Sequence, residues 1–228
     1  MKKVLITGGS DGLGKMLAKI LVVSKKYKVI ILSRDEDKTK QVAKQLGCDY
    51  VIADVTDYSQ VNSAVTAVVN KYGSVDCLIN NAGVWIQGLL ESNNPKEIEK
   101  VMQINSIGVI NMTHAVLTSM KRNKSGRIIN VISQAGLYGK SERSVYTASK
   151  FATTGFTKAM DLELAPFGIS VVGFYPGAMK TDFFAKVNIK KDMSGYMDIK
   201  DVANALKFII EIPEDLTVPE FGLRSLRQ

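Results

Sequence analysis

Lys2-Lys3-Val4-Leu5-Ile6-Thr7-Gly8-Gly9-Ser10-Asp11-Gly12-Leu13-Gly14 joins a short apolar run to a glycine-rich turn, and a helical pattern of Leu13, Leu17, Ile20 and Leu21 follows at once. The run Lys2 to Thr7 predicts a buried strand. Strand, glycine turn and helix in succession form a place for a dinucleotide. Glycines permit the tight turn and let a pyrophosphate approach the backbone amides at the helix N-terminus. Gly8, Ser10, Asp11, Gly12, Leu13 and Gly14 are therefore candidate cofactor-binding residues.

Outward from that turn, apolar runs alternate with amphipathic stretches. Further strands are predicted over Lys28–Ser33, Tyr50–Ala53, Val75–Ile79, Arg127–Ile132, Ser170–Tyr175 and a shorter Thr217–Leu223. Helices are predicted over Tyr58–Tyr72, Pro95–Val101, Ser106–Lys121, Val145–Ala165 and Asp201–Ile210. The acidic run Asp35, Glu36, Asp37 reads as one more helix start, where it suits the helix dipole. This alternation predicts an α/β fold of one domain over residues 1–228. Its core is a Rossmann-type, doubly wound parallel sheet of about seven strands, with right-handed crossovers and helices on both faces. Ligands in such sheets bind at the C-terminal ends of the strands. Arg34, Asp54, Asn81 to Gly83, Ser133 and Pro176 to Thr181 all fall there.

The end of the second strand carries information about the cofactor. An Asp or Glu near that position usually binds the ribose 2′-hydroxyl of NAD. Ser33 and Arg34 stand there instead, and a small neutral residue followed by a guanidinium suits a 2′-phosphate. NADP(H) is therefore favoured, with NAD(H) as the second option. Asn80-Asn81-Ala82-Gly83 reads either as an ordinary turn or as a floor under the cofactor ribose.

Composition narrows the function classes. With 46% hydrophobic residues the chain can fill a core. No apolar run approaches the ~20 residues of a membrane span, so no membrane partner is expected. Met1-Lys2-Lys3 before Val4-Leu5-Ile6 imitates a signal peptide, but the run stops at Thr7-Gly8 and the sequence reads as cytoplasmic. Cys48 and Cys77 have neither metal-like nor redox-like spacing and read as buried thiols. His114 is the only histidine, which argues against a His-based metal site or a Ser-His-Asp triad. A net charge of +8 suits an anionic ligand, but no basic run is long enough for nucleic acid. Lys186, Lys190 and Lys191 form a mild cluster, read as a solvated face or as a dock for an acidic carrier.

In Ser144-Val145-Tyr146-Thr147-Ala148-Ser149-Lys150, a helix would place Tyr146 and Lys150 one turn apart on one face. At ~4 Å and an effective dielectric of ~20, a unit charge is worth ~4 kcal/mol. That is roughly 3 pKa units, enough to draw a phenol towards neutrality and let it give or take a proton. Tyr and Lys at this spacing also occur as plain helix-surface neighbours.

Taken in order, Thr7-Gly8-x-x-x-Gly12-x-Gly14, Asp54, Asn80-Asn81-Ala82-Gly83, Asn105 with Gly108, Ser133, Tyr146-x-x-x-Lys150 and Pro176-Gly177 with Thr181 form a consistent set. The set resembles the short-chain dehydrogenase/reductase family, single-domain branch, from Lys2 to Thr181 and more loosely beyond. The resemblance implies NADP(H)-dependent interconversion of a ketone or aldehyde and an alcohol. It implies Tyr146 as the acid/base and Lys150 as the cation that lowers its pKa and holds the nicotinamide ribose. Ser133 would hydrogen-bond the carbonyl oxygen, and Asn105 would help hold a water linking Lys150 to solvent. Cofactor contacts would extend to Val55, Ile104, Ala82, Met179 and Thr181. A homodimer or homotetramer acting on a small-molecule substrate is implied as well.

Two departures stand out. Asp11 occupies a position where many NADP(H)-preferring relatives carry a base, and Gln134 follows Ser133 where a second small residue is common. Asp182 to Ile199 is short for a substrate lid, which implies an open pocket. Trp85, Ile86, Leu137, Tyr138, Phe183, Phe184, Val187 and Met193 are candidate pocket residues and imply a substrate with an apolar body. A non-catalytic dinucleotide-binding sensor or partner protein on the same fold is the rival reading.

Overall fold

The computed structural model describes residues 1–181 and 192–227. Seven strands, β1 (Lys2–Thr7), β2 (Tyr27–Ser33), β3 (Asp49–Ile52), β4 (Cys77–Asn80), β5 (Gly126–Val131), β6 (Ile169–Pro176) and β7 (Glu220–Leu223), form one parallel sheet in the order β3-β2-β1-β4-β5-β6-β7. The helices are α1 (Gly12–Val23), α2 (Glu36–Leu46), α3 (Tyr58–Tyr72), α4 (Pro95–Met102), α5 (Gly108–Asn123), α6 (Ser144–Leu164) and α7 (Ile199–Glu211). The fold is the expected doubly wound Rossmann type, with the order reversing between β1 and β4.

Strand geometry explains the two layers. Successive side chains point to opposite faces. Val4 and Ile6 of β1 join a core with Leu17 and Leu21 of α1 and Leu206 and Ile209 of α7. Leu5 between them joins the opposite core, with Val65 of α3, Val116 of α5 and Leu164 of α6. Local signals start and stop the helices. Asp35 accepts a hydrogen bond from the Lys38 amide at 3.0 Å, and Gly47 ends α2 in a left-handed conformation at φ 71°. Asn94 caps α4 ahead of Pro95, which needs no amide partner at the first helical position.

Two expectations are corrected. The helices expected over Pro95–Val101 and Ser106–Lys121 run on as one, because a five-residue π-helical segment, Gln103–Ile107, links α4 to α5. Its signature is the Gly108 amide bonding to the Gln103 carbonyl, one residue further back than in an α-helix. Cys48 is half-buried rather than buried, because it lies at the edge of the sheet beyond the C-cap of α2, while Cys77 is buried in β4. Among the described residues no helix is long and apolar enough to cross a membrane.

One buried side chain ties the sheet to the C-terminal part. Arg127 of β5 donates to the carbonyls of Ile209 and Ile212 at 2.7 Å and of Pro213 and Leu216 at 2.9 Å, and to the Ser170 hydroxyl at 3.0 Å. The guanidinium thereby closes the C-terminus of α7, where a cation is favoured by the helix dipole. Arg127→Met would leave buried carbonyls without donors. We expect a loss of about 3 kcal/mol, which for a chain of this size lowers Tm by roughly 6–12 °C. Calorimetry checks this, and an unchanged Tm would show that the carbonyls find other donors.

Candidate active site

The cleft begins where β1 and β4 part. Thr7 Oγ1 accepts from the amides of Asn81 at 2.9 Å and Ala82 at 3.0 Å. In return Asn81 Nδ2 donates to the carbonyls of Thr7 at 2.9 Å and Gly8 at 3.3 Å. Asn81 Nδ2 thus pins the glycine turn. Gly14 is required by close approach: a Cβ there would lie 2.5 Å from the Gly8 carbonyl oxygen and 2.6 Å from Asn81 Nδ2. Gly8 (φ 62°) and Gly12 (φ 48°) hold left-handed conformations that side chains rarely adopt.

Asp11 caps α1, its Oδ1 accepting from the Gly12 amide at 2.8 Å. Its Oδ2 is held by Lys38 Nζ at 2.7 Å. The amides of Leu13 and Gly14 keep no hydrogen-bond partner among the described residues, as expected of a helix N-terminus open to an anion. A dinucleotide fits this cradle: the glycine surface is bare, and Lys38 neutralises the Asp11 carboxylate that would repel the pyrophosphate.

Beside the cradle lies a polar corner. Ser10 Oγ donates to Ser33 Oγ at 3.0 Å, and Arg34 Nη1 meets Asp54 Oδ2 at 3.5 Å. Burial pushes the Asp54 carboxyl up, but the Thr56 amide and hydroxyl and then Arg34 outweigh it and hold the group below its usual value. Arg34 and Lys38 are both substantially exposed, so their ion pairs are weak enough for an incoming phosphate to displace.

At the other end of the cleft stand Ser133, Tyr146 and Lys150. Ser133 follows β5 with φ 148°, a strained conformation for a residue with a side chain. Its Oγ accepts from the Ala135 amide at 3.1 Å. Tyr146 and Lys150 share the buried face of α6, with Nζ 5.7 Å from the phenol ring centre and donating to the Val131 carbonyl at 3.2 Å. Behind them Asn105 holds the segment after β4: Oδ1 accepts from the Val84 amide at 2.8 Å, and Nδ2 donates to the Val84 carbonyl at 3.0 Å and to Ser149 Oγ at 3.1 Å. Trp85 lies against Tyr146, ring centres 4.4 Å apart.

The electrostatics reverse one expectation. Burial raises the Tyr146 phenol to about 12, although the Ser133 hydroxyl and the Arg143 guanidinium pull it back down. Burial likewise lowers the Lys150 ammonium from 10.5 to about 8. The Coulomb argument from spacing omitted desolvation, which penalises the charged form of both groups. Attraction between the two groups grows as the dielectric falls, but the loss of hydration by each charged form outweighs it here.

These residues line one cleft of about 1090 Å³ along the C-terminal edge of the sheet. Gly8, Ser10, Asp11, Gly12, Leu13, Ser33, Arg34, Asp54 and Val55 line its first half; Asn81, Ala82, Gly83, Ile104, Pro176, Gly177, Met179 and Thr181 continue it to Ser133, Tyr146 and Lys150. Gly14 and Asn105 are not on its surface and support it from behind. Trp85, Tyr138 and Gln134 line the substrate end, whereas Ile86, Leu137 and the exposed Met193 are not part of the cleft's lining. Phe183, Phe184, Val187 and the lysines at 186, 190 and 191 lie outside the described residues. Lys38 and Arg143 also line the cleft and were missed in the sequence. Lys38 is one helical turn beyond Arg34 and Arg143 three residues before Tyr146, so position relative to a motif was the available signal.

The fold and this cleft define a dinucleotide-binding protein of the Rossmann class. The chain belongs to the short-chain dehydrogenase family, whose profile, described as short chain dehydrogenase, matches residues 2–192. It is 36% identical over 188 residues to a 3-ketodihydrosphingosine reductase of Bacteroides thetaiotaomicron, covering 82% of this chain and 68% of that one. It is 35% identical over 201 residues to a 3-dehydrosphinganine reductase of Danio rerio, covering 83% of this chain and 60% of that protein. The match thus spans less than two thirds of the Danio rerio protein's length. An alcohol dehydrogenase from the archaeon Thermococcus sibiricus, solved with 5-hydroxy-NADP, superposes with a TM-score of 0.91 at 27% identity over 100% of this chain and 98% of that one.

Burying Lys150 has a measurable consequence. The folded-state value of about 8 lies below the ordinary 10.5. The unfolded chain therefore binds more protons between these values, and stability rises with pH through that window. Below pH 8 the penalty is fully present, at roughly 3 kcal/mol. Lys150→Met is expected to be more stable than the unmodified protein at pH 7, with the gap closing towards pH 10. Urea unfolding at both pH values tests this, and a gap independent of pH would contradict it.

Proposed function

We propose that the protein is an NADP(H)-dependent reductase that converts a ketone or aldehyde into an alcohol. The observation that carries this reading is the convergence of Ser133, Tyr146 and Lys150 at one end of a cleft whose other end presents Arg34 and Lys38. When bound, the nicotinamide cofactor supplies the hydride. The amides of Leu13 and Gly14 receive its pyrophosphate, and Arg34 and Lys38 receive its 2′-phosphate beside the Ser10 and Ser33 hydroxyls. The Thermococcus sibiricus structure with 5-hydroxy-NADP supports that choice of cofactor. The names of the Bacteroides thetaiotaomicron and Danio rerio relatives, both ketone reductases, support the substrate class.

The protein's own part is proton delivery and positioning. Tyr146 gives its hydroxyl proton to the carbonyl oxygen, while the Ser133 hydroxyl donates a hydrogen bond to the same atom. A phenol pushed up to about 12 stays protonated at neutral pH, so it is loaded as an acid. Lys150, at about 8, is still largely protonated at pH 7 and offsets the phenolate that forms. Asn105 ties the Val84 backbone to the Ser149 hydroxyl on α6, one residue before Lys150. The exposed apolar side chains Ile110, Phe151 and Leu162 on α5 and α6 support association into a homodimer or homotetramer.

NADPH consumption against a panel of ketones and aldehydes tests the reaction. Tyr146→Phe is expected to lower kcat by about 10²–10⁴ while NADPH still binds, and full turnover by this variant would sink the reading. For the cofactor, Lys38→Ala is expected to raise the NADPH Kd roughly tenfold, as loss of one charge-assisted hydrogen bond predicts, and the NADH Kd by clearly less, through the uncovered Asp11 carboxylate alone. Equal use of NADPH and NADH by the unmodified protein would contradict the 2′-phosphate assignment.

A further inference from the structure

Beyond Tyr146 the cleft carries a cation that proton delivery and cofactor binding leave unassigned. Arg143 immediately precedes α6, and its guanidinium lies over the Trp85 ring at 5.0 Å. Trp85 in turn lies against the Tyr146 ring at 4.4 Å, tilted by 53°. Guanidinium, indole and phenol therefore form a single stack, and the guanidinium end of it lines the cleft. Arg143 Nε is buried without a hydrogen-bond partner, and no carboxylate among the described residues pairs with the side chain.

The neighbouring acids are occupied. Glu142 holds a left-handed φ of 61°, and its carboxylate accepts from Gln87 Nε2 at 3.1 Å. The Gly88 amide bonds its carbonyl at 2.9 Å, so this acid is tied to the segment after β4. Asp192 lines the cleft, but its carboxylate accepts from the Ser194 amide at 2.9 Å and the Ser194 hydroxyl at 3.0 Å. Lys140 lines the same end and adds positive charge. A half-buried guanidinium with a free planar donor edge is costly unless an anion completes it, and it matches carboxylate or phosphate in two-pronged geometry.

We propose that Arg143 anchors an oxyanion on the substrate, a carboxylate or phosphate a few bonds from the carbonyl that meets Tyr146, so that the protein prefers anionic oxo compounds to their neutral analogues. The proposal rests on the carbonyl-reductase reading and deepens it. The guanidinium and the phenol both pack on the one indole, at 5.0 Å and 4.4 Å from its centre, which keeps the anchor within a few bonds of the reacting carbonyl. Trp85 holds the cation in place through its face, which is why a flexible lysine would serve less well.

The test compares matched pairs: 4-oxopentanoate against methyl 4-oxopentanoate for carboxylate, and dihydroxyacetone phosphate against dihydroxyacetone for phosphate. The unmodified protein is expected to favour the anion of at least one pair tenfold or more in kcat/KM. Arg143→Met should lower that ratio by tenfold or more, and Arg143→Lys by less. No preference in either pair, a ratio that survives in Arg143→Met, or an equal loss on both members of each pair would overturn the proposal, the last by showing that Arg143 acts on Tyr146 alone. NADPH binding by each variant controls for folding, and if Arg143→Met does not fold, the ratios of the unmodified protein and Arg143→Lys decide.

A second readout needs no turnover. Trp85 is the only tryptophan in the chain. With NADP⁺ present, the preferred anion should change its fluorescence in the unmodified protein and not in Arg143→Met. If no carbonyl compound is reduced but the anion still changes the fluorescence, the reductase reading falls and the oxyanion site stands. If ketones are reduced with no difference between acid and ester or between phosphate and alcohol, the site falls and the reductase reading stands.

Discussion

The hydrogen bonds between Thr7 and Asn81 hold open the cleft on which everything else depends. At the point where the strand order reverses, α1 leaves β1 towards one face of the sheet, and the segment after β4 leaves towards the other. Nothing in the sheet itself would keep the two lips in register. Thr7 Oγ1 accepts two amides of the β4 segment, and Asn81 Nδ2 returns two bonds to the glycine turn. This reciprocal clasp brings the backbones so close that Gly14 has no room for a Cβ. The requirement for glycine in this turn is thus a packing constraint imposed from β4 as much as a property of the turn.

Charge is handled differently at the two ends of the cleft. At the glycine end the cations are exposed and already paired, Lys38 with Asp11 and Arg34 with Asp54. Such pairs are worth little in water, so exchanging a carboxylate for a phosphate costs little. At the tyrosine end the groups are buried, and desolvation dominates over mutual attraction. It raises the phenol to about 12 and lowers the ammonium to about 8, which drives the two values apart yet leaves both groups mainly protonated at neutral pH. The exposed end is built for exchange of partners and the buried end for holding a proton until a carbonyl arrives.

What was legible in the sequence was local. The strand at Lys2–Thr7, the helix that follows the glycine turn, and the cap at Asp35 each depend on residues close in sequence, and the structure reproduces them. The parallel sheet followed from alternation alone. Lys38 was not legible because its meaning depends on Asp11, which is brought to it only when α2 folds back beside the turn. Arg143 was not legible because Trp85, the ring it covers, belongs to the segment after β4. The phenol was misjudged because spacing along a helix measures distance to a charge and says nothing of the surrounding dielectric. Ile86 and Leu137 were apolar and near the right motifs, but only the path of the chain shows which neighbours face the cleft.

The least favourable local conformations gather where the chemistry is proposed. Lys25 and Lys124, with positive φ, lie at the ends of helices, where a left-handed residue is an ordinary stop. Ser133 and Glu142, the other two such residues with side chains among those described, both precede Tyr146 in the chain, Glu142 by four positions. The π segment at Asn105 adds a further irregularity directly behind Lys150. Each is held by a different neighbour, and only Ser133 by one close in sequence. Ser133 is held by the Ala135 amide, Glu142 by Gln87 and Gly88, and Asn105 by the Thr153 hydroxyl on its carbonyl. The π insertion also shifts the helix face by one residue, so that Ile104 and Asn105 are turned inward while Ile107 and Ile110 remain exposed. A regular helix through the same stretch could not serve the cleft and the outer face with these residues. The irregularity is therefore what lets one continuous helix carry both a support for Lys150 and an apolar outer surface.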